Sequence, residues 1–265
     1  VDDYMDIVND PEIDIVVELV GGTGFAGDVV RNALKAGKNV VTANKALLAE
    51  YGEEIFTLAD SGSGSVSFEA AVGGGIPVVD PLKRSLVGNR INSVMGILNG
   101  TTNYMLTRMS QEGISYADVL ADAQRLGYAE ADPTADVEGH DAAAKIALLS
   151  SMVFNSRVNV KDVYTNGIST ISPVDFERAR AMGYVIKLLA IGRRAASGID
   201  VRVHPAMLPA SHPMASVNGV YNAVYVEGEP IGDVMFFGQG AGEGATASAV
   251  MGNIIDAARC IDEGS

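Results

Sequence analysis

The chain has no tryptophan and only one cysteine, Cys260, among its 265 residues. A lone thiol cannot form a disulfide bond within the chain, which is typical of proteins from a reducing compartment. The sequence also lacks a run of about 18 apolar residues, the length of a membrane-spanning helix, and it does not open with a basic-then-apolar leader. These absences predict a soluble, cytoplasmic protein that does not associate with membranes.

Basic residues are scarce, since 19 lysines and arginines stand against 33 aspartates and glutamates and give a net charge of −14. Nucleic acids and anionic membrane surfaces are bound by clustered positive charge, so both are excluded as partners. The three histidines, His140, His204 and His212, lack the spacing of zinc ligands. Hydrophobic residues make up 48% of the chain, enough for a folded core.

The first third of the sequence alternates apolar, β-branched segments with helical ones. The pattern predicts strands at 13–20, 39–42 and 65–71, and helices at 28–36 and 45–60. Strand–helix–strand repeats of this length are typical of an open parallel sheet with right-handed crossovers. The turn Gly22–Gly27 matches G-x-G-x-x-G, but no acidic residue ends the next strand to hold a ribose. Two interpretations remain, a primary dinucleotide turn or later units of a doubly wound sheet without its first half.

After residue 76 the character changes to a mixed α+β pattern. Helices are predicted at 79–87, 104–110, 115–126, 141–154, 174–182 (continuing in some form through Lys187) and 245–259. Strands are predicted at 90–98, 188–194, 200–208 and 217–227. The fold class is therefore α/β, a partial doubly wound, Rossmann-like parallel sheet plus an α+β portion with a mixed sheet. The predicted domains are 1–76 with 235–265, and 77–234.

The most conspicuous stretch is 127–145, where a loop rich in carboxylates precedes a helix carrying Asp141 and Lys145. The loop is marked by Pro133 and Gly139. At spacing i, i+4 Asp141 and Lys145 share one helix face. One interpretation is a pocket for a small polar molecule with an ammonium group, and the other is an exposed loop followed by an ordinary ion pair.

Several motifs together resemble the homoserine dehydrogenase family. They are residues 16–22 (VVELVGG), 40–46 (VVTANKA), 69–77 (EAAVGGGIP), 99–104 (NGTTNY), 127–141 with Lys145, and the glycine-rich loop before 246–249 (TASA). The resemblance runs from about residue 12 to residue 258. It implies that the family's N-terminal dinucleotide-binding turn and the C-terminal regulatory domain of many members are missing here, so that this truncated chain is expected to lose activity.

The resemblance implies hydride transfer between NAD(P) and L-homoserine or L-aspartate 4-semialdehyde, in the pathway to threonine, methionine and isoleucine. Such a reaction needs a general acid/base. Lys145 matches the family's proton donor, and burial would favour its neutral amine whereas Asp141 would favour the ammonium ion. Lys45 matches a second lysine, which lies between cofactor and substrate and helps to bind or polarise the reacting oxygen, so the resemblance implies Lys145 and Lys45 as the catalytic residues. The implied substrate-binding residues are Glu130, Asp136, Asp141 and Thr101.

For the cofactor, Thr23, Lys45 and Gly242 match family contacts. A monovalent cation, usually sodium, would be bound mainly by backbone carbonyls of a segment that includes Glu69, Val72, Gly74 and Ile76. The resemblance also implies a homodimer formed through the sheet of the second portion. NAD and NADP cannot be separated, because the family's ribose-reading residue lies upstream of the matched segment.

Two other classes of function remain open at this point. The chain could be a non-catalytic binding or assembly module, because half of the dinucleotide-binding sheet is missing. It could also be another NAD(P)-dependent amino-acid or semialdehyde oxidoreductase on the same scaffold. Cys260 lies on the closing helix without a nearby histidine, which argues against a semialdehyde dehydrogenase with a catalytic cysteine.

Overall fold

The computed structural model describes residues 3–263, which divide into two compact units. The first unit runs to Asp80 and resumes at Ala241, and the second is Pro81–Gly240. Residues 235–240 were predicted to belong with the nucleotide-binding portion. They lie instead in the last strand of the second unit, where Phe236, Phe237 and Gly238 pair with its neighbour.

Nine strands and ten α-helices are described. The strands are β1 (Ile15–Glu18), β2 (Asn39–Thr42), β3 (Val66–Ser67), β4 (Arg90–Ile97), β5 (Tyr164–Thr165), β6 (Tyr184–Ala195), β7 (Gly198–Pro209), β8 (Tyr221–Glu229) and β9 (Gly232–Gln239). The helices are α1 (Tyr4–Asn9), α2 (Phe25–Lys35), α3 (Lys45–Ser61), α4 (Glu69–Val72), α5 (Gly100–Glu112), α6 (Tyr116–Arg125), α7 (Thr134–Val137), α8 (His140–Phe154), α9 (Pro173–Ala181) and α10 (Glu243–Asp262). No helix among them is both long enough and apolar enough to cross a bilayer.

The first unit is built on a parallel sheet in the order β1-β2-β3, which confirms the predicted α/β pattern. Val40 and Val41 of the central strand are fully buried, as expected for a strand covered on both faces. Helix α10 contacts α4, β1 and β2, so the closing helix packs on the first portion as predicted.

The predicted strand 65–71 was wrong beyond Ser67. Only Val66 and Ser67 pair with β2, and a helical turn begins at Glu69. The Glu69 backbone amide donates to the Asn253 side chain on α10, and its carboxylate accepts amides from further along the chain. These tertiary contacts turn the chain away from the sheet, which a local alternation of apolar and polar residues cannot reveal.

The second unit is a six-stranded mixed sheet in the order β5-β7-β6-β4-β8-β9. All pairings are antiparallel except β5 with β7. Helix α8 packs on one face, where Gly192 of β6 lies so close to Ser150 that a Cβ would sit 2.2 Å from the hydroxyl. The other face carries an apolar cluster that includes Ile97, Leu189 and Tyr225. The predicted mixed sheet is therefore confirmed.

Two helices in this unit were predicted wrongly. Residues 79–87 form only a single π-helical turn, Pro81–Ser85, closed by the Leu86 amide on the Pro81 carbonyl. Helix α9 does not continue to Lys187. It ends at Ala181, Gly183 takes a left-handed conformation with φ 82°, and β6 begins at Tyr184.

Lys187 is consequently a buried residue in the middle of a strand, with 3% of its surface exposed. Its ammonium group donates to the Val217 carbonyl and to the side-chain oxygens of Asn218 (3.0 Å) and Asn103 (3.2 Å). All three acceptors are neutral. Burial therefore dominates and lowers the pKa of Lys187 from 10.5 to about 8.

This depressed pKa predicts a pH-dependent stability. Between pH 8 and 10.5 the unfolded chain keeps a proton on Lys187 that the folded protein has released, so the free energy of unfolding rises with pH. We expect the stability of wild type relative to Lys187→Met to increase by about 2 kcal/mol from about pH 8 to about pH 10, measured by urea denaturation. A stability difference that does not change with pH would contradict the burial account.

Candidate active site

The second unit brings a buried ion pair to the end of its central strand. Lys145 and Asp141 lie one turn apart on α8, with an Nζ–Oδ2 distance of 2.8 Å and side chains that are 11% and 9% exposed. Lys145 also donates to the carbonyl of Leu98, directly after β4, at 2.8 Å. Gly139 caps the helix with φ 84°, and Asp141 lies in its first turn, where a negative charge is favoured by the helix dipole.

Asn99 connects this pair to a second carboxylate. Its side-chain amide nitrogen donates to Asp136 (2.7 Å) and to Asp141 (3.0 Å). Its side-chain oxygen accepts from the amide and the hydroxyl of Thr102, both at 2.9 Å, and so caps α5. Asn99 is 6% exposed and has all these partners at once. It is the residue that fixes Asp136, Asp141 and Lys145 relative to one another.

The loop before α7 is held by side chains of α5 and α6. The Thr101 hydroxyl donates to the Tyr128 carbonyl at 2.5 Å, and the Tyr128 ring packs on Tyr104 with centroids 4.8 Å apart. The Gln124 amide donates to the carbonyls of Glu130 (3.0 Å) and Ala131 (3.3 Å). The loop backbone is therefore fixed at both of its ends.

The acidic residues of this loop have different surroundings. Glu130 is exposed, and its carboxylate makes no hydrogen bond or ion pair with the part of the chain that the structure describes. Asp132 accepts from the amide (3.1 Å) and hydroxyl (2.6 Å) of Thr134 at the start of α7, and these contacts lower its pKa. Asp132 therefore serves the local turn.

The structure thus brings together Lys145, Asp141 and Asp136, three of the residues that the resemblance singled out, and links them through Asn99. Thr101 lies on the same helix start, but its hydroxyl is used by the Tyr128 carbonyl. Glu130 is on the tethered loop outside this hydrogen-bonded group. Sequence reasoning missed Asn99 and Gln124. For Asn99 the available signal was an asparagine at a strand end just before a predicted helix, the position of an N-cap.

In the first unit, the predicted cofactor residues lie in loops at strand and helix ends. Thr23 lies between β1 and α2, and Lys45 is the half-buried first residue of α3, immediately after β2. The carboxyl ends of parallel strands are where open α/β sheets bind ligands. Gly242 precedes α10 with φ 112°, a conformation that favours glycine.

The segment predicted to hold a cation is organised by the Glu69 side chain. One carboxylate oxygen accepts the amides of Val78 (2.6 Å) and Val79 (2.8 Å), and the other accepts the amide of Asp80 (3.0 Å). Glu69 is 6% exposed. Within residues 3–263 there is no cluster of three or more histidine, cysteine or acidic side chains arranged to hold a metal ion. A cation bound here would depend on backbone carbonyls.

Comparison with known proteins identifies the two parts of the chain. Residues 77–255 match the family model "Homoserine dehydrogenase", and residues 1–69 match "Homoserine dehydrogenase, NAD binding domain". Homoserine dehydrogenases from Corynebacterium glutamicum and a Synechocystis strain are each 54% identical, over 97% and 94% of this chain and 59% of the length of either relative.

Comparison with solved structures also gives matches to homoserine dehydrogenases. A homoserine dehydrogenase from Thiobacillus denitrificans superimposes with a TM-score of 0.96 at 48% identity, over 99% of this chain and 61% of that one. A hyperthermophilic archaeal homoserine dehydrogenase in complex with NADPH gives a TM-score of 0.83 at 28% identity, over 97% and 75%. The chain therefore spans roughly three fifths of the length of the curated relatives that it matches. It belongs to the homoserine dehydrogenase family.

Proposed function

We propose that this chain carries the catalytic core of a homoserine dehydrogenase. In the oxidation direction the hydroxyl-bearing carbon of L-homoserine loses a hydride and its oxygen loses a proton, which gives L-aspartate 4-semialdehyde. The reverse reaction requires a proton for the aldehyde oxygen. When bound, NAD(P) supplies the acceptor or donor of the hydride. Everything else, including the proton transfer and the orientation of the amino acid, must come from the protein.

The observation that carries the proposal is the hydrogen bonding of Lys145. An ammonium group has three N–H bonds. Two are used, on the Leu98 carbonyl and on Asp141, and both contacts are 2.8 Å long. The third is left for a substrate oxygen. Both protein acceptors fix the direction of the third position on the nitrogen. As an ammonium ion Lys145 can donate the N–H in that position to the aldehyde oxygen, and as a neutral amine it can take the hydroxyl proton on the lone pair there, in both cases with little reorganisation.

The tethered loop offers a site for the other end of the substrate. Glu130 is a carboxylate without a partner among residues 3–263, on a backbone held by Gln124. A substrate ammonium group would pair with it through charge-assisted hydrogen bonds. Asp136 supplies a second negative charge and is linked through Asn99 to Asp141, the partner of Lys145. Thr101 contributes by holding the loop through its contact with Tyr128.

The first unit offers Thr23, Lys45 and Gly242 for NAD(P). An added Cβ on Gly21, Gly22 or Gly24 would meet nothing within 4 Å, so a ligand can approach the backbone of the β1–α2 loop closely. A relative with NADPH bound supports a nicotinamide cofactor for this chain as well. Sodium is proposed for the segment 69–76, with the carbonyls of Val72, Gly74 and Ile76 as ligands. The Glu69 carboxylate is already held by three amides, so we assign the cation contact of this residue to its carbonyl.

A homodimer in the cytoplasm completes the proposal. On the sheet face opposite α8, Ile191, Met95, Tyr225 and Met235 lie in register across four neighbouring strands. Phe237 continues this apolar surface and is 54% exposed. Tyr225 is already buried, and a second copy of the chain would cover Phe237 and the partly buried Met95, Ile191 and Met235. Sedimentation of the complete protein as a monomer at micromolar concentration would contradict the dimer.

The activity is tested by following homoserine-dependent reduction of NADP and of NAD by the complete protein. We expect turnover with L-homoserine and none with L-serine, whose hydroxyl lies one carbon closer to the ammonium group and so cannot reach Lys145 while Glu130 holds that group. Turnover of serine at a comparable rate would favour a different amino-acid oxidoreductase. No turnover with any hydroxy amino acid would favour a non-catalytic module.

A further inference from the structure

Glu18, the last residue of β1, is a buried carboxylate for which the proposed mechanism has no use. It is 1% exposed. One of its oxygens accepts the amides of Val20 (2.8 Å) and Gly21 (3.0 Å). The other accepts the hydroxyl of Thr42 at 2.7 Å. A buried charge is stable only when its oxygens are hydrogen-bonded, so these donors and the carboxylate hold one another in place.

Thr42 and Asn44 extend this contact from β1 to the start of α3. The Thr42 hydroxyl accepts the amide of Asn44 at 3.0 Å. The Asn44 side chain donates to the Gly22 carbonyl (2.7 Å) and accepts the amide of Leu47 (3.1 Å), which caps α3. Thr42 is fully buried and Asn44 is 8% exposed. The carboxyl ends of two neighbouring parallel strands are thereby joined through side chains.

The segment held by these contacts contains two adjacent glycines. Gly21 and Gly22 are consecutive left-handed residues with φ 81° and 74°. Glycine loses more backbone freedom on ordering than any other residue, so this loop would sample many conformations if it were left alone. The Glu18 carboxylate fixes the first two amides of the loop, those of Val20 and Gly21, and the Asn44 side chain fixes the Gly22 carbonyl. The same hydrogen-bonded side chains therefore position the two residues that follow, Thr23 after Gly22 and Lys45 after Asn44.

We propose that Glu18 is a positioning residue for nicotinamide cofactor binding, acting through Thr42 and Asn44 on the loop 20–24 and on Lys45. This role rests on the proposed function, because it assumes that the loop receives NAD(P). The carboxylate does not contact the cofactor, since it is buried and used by protein donors. It keeps the loop in the receptive conformation. When a fraction of molecules leaves that conformation, the apparent dissociation constant increases by the inverse of the remaining fraction.

The test uses Thr42→Val, which removes one hydroxyl and leaves the shape of the side chain. Thr107→Val is the matched control. The Thr107 hydroxyl is also buried, donates to an oxygen (Asn103 carbonyl, 2.6 Å) and accepts an amide (Gly219, 3.1 Å), but it lies in the second unit and makes none of the contacts that hold the loop. Glu18→Gln, which removes the charge, is the second variant. NADPH binding to the complete protein is titrated by fluorescence, and hydrogen exchange of the amides 20, 21 and 44 is measured without cofactor.

We expect Thr42→Val and Glu18→Gln to raise the NADPH dissociation constant about tenfold and to speed exchange of these amides by a similar factor. The KM for homoserine at saturating cofactor stays the same. Thr107→Val changes neither quantity, although it lowers the melting temperature. Unchanged NADPH affinity or unchanged exchange in Thr42→Val overturns the positioning role. If wild type binds no NADPH, the cofactor assignment itself is overturned, which is a separate result.

Discussion

Lys145→Met is expected to reduce homoserine-dependent turnover by about a thousandfold, with the KM for homoserine changed much less. A positioned general acid/base contributes about a hundred- to ten-thousandfold to a rate, and methionine has nearly the length of lysine without a side-chain N–H bond. The loss would fall on kcat because the amine acts on the oxygen whose charge changes during hydride transfer. Steady-state kinetics in both directions, with NADP and NADPH, measure it.

The control for this substitution is Lys161→Met. Lys161 is an exposed lysine in a short 3-10 turn of the same unit, so the change in charge is identical and the site is untouched. Removing the Lys145 amine also leaves Asp141 buried with Asn99 as its neighbour, and circular dichroism has to show that the variant is folded. Turnover within tenfold of wild type in folded Lys145→Met would remove Lys145 from the chemistry.

Glu69→Gln is expected to lower the free energy of unfolding by about 2–4 kcal/mol. An amide has one acceptor oxygen in place of two, so at least one of the amides of Val78, Val79 and Asp80 loses its partner and faces an NH₂ group instead. A buried donor left unsatisfied costs about 1–3 kcal/mol, and a hydrogen bond to a charged acceptor is worth more than one to a neutral acceptor. Urea denaturation measures the loss.

Glu12→Gln serves as its control, because Glu12 is exposed in the same unit and the substitution is chemically the same. Sodium titrations separate the two roles of the segment 69–76. If sodium binds through carbonyls, it should stabilise wild type and Glu69→Gln by the same amount. A sodium effect that disappears in Glu69→Gln would show that the carboxylate is a ligand, contrary to the structural role derived from its three amide contacts.

Much of the candidate site could be predicted from the sequence because its signals are local. Asp141 and Lys145 are one helical turn apart, so helix geometry alone brings them together. The glycine and proline residues around 127–139 mark a loop, and the succession of strands in the first unit gives the parallel sheet. The acidic residues of the loop could not be ranked in this way. The two aspartates are distinguished only by their hydrogen bonds in the structure. Asp132 accepts the hydroxyl of Thr134, whereas Asp136 accepts the side-chain amide of Asn99.

The remainder depends on contacts between distant parts of the chain. Asn99 and Asp141 are 42 residues apart, and nothing local to either of them indicates their hydrogen bond. The local pattern predicts Glu69 as part of a strand. In the structure its carboxylate accepts hydrogen bonds from amides nine to eleven residues further along the chain. The sequence around Lys187 predicts the end of a helix. Its burial in a strand depends instead on the loop at Val217, 30 residues away, whose carbonyl accepts a hydrogen bond from its ammonium group.

A crystal structure of the complete protein with L-homoserine and NADP would test the proposed roles of Lys145 and Glu130 together. We expect the hydroxyl oxygen of homoserine within hydrogen-bond distance of the Lys145 Nζ, at the position that is not occupied by Leu98 or Asp141. We also expect the substrate ammonium group against the carboxylate of Glu130. A homoserine bound with its hydroxyl away from Lys145, or with its ammonium group away from the loop 127–133, would contradict the account.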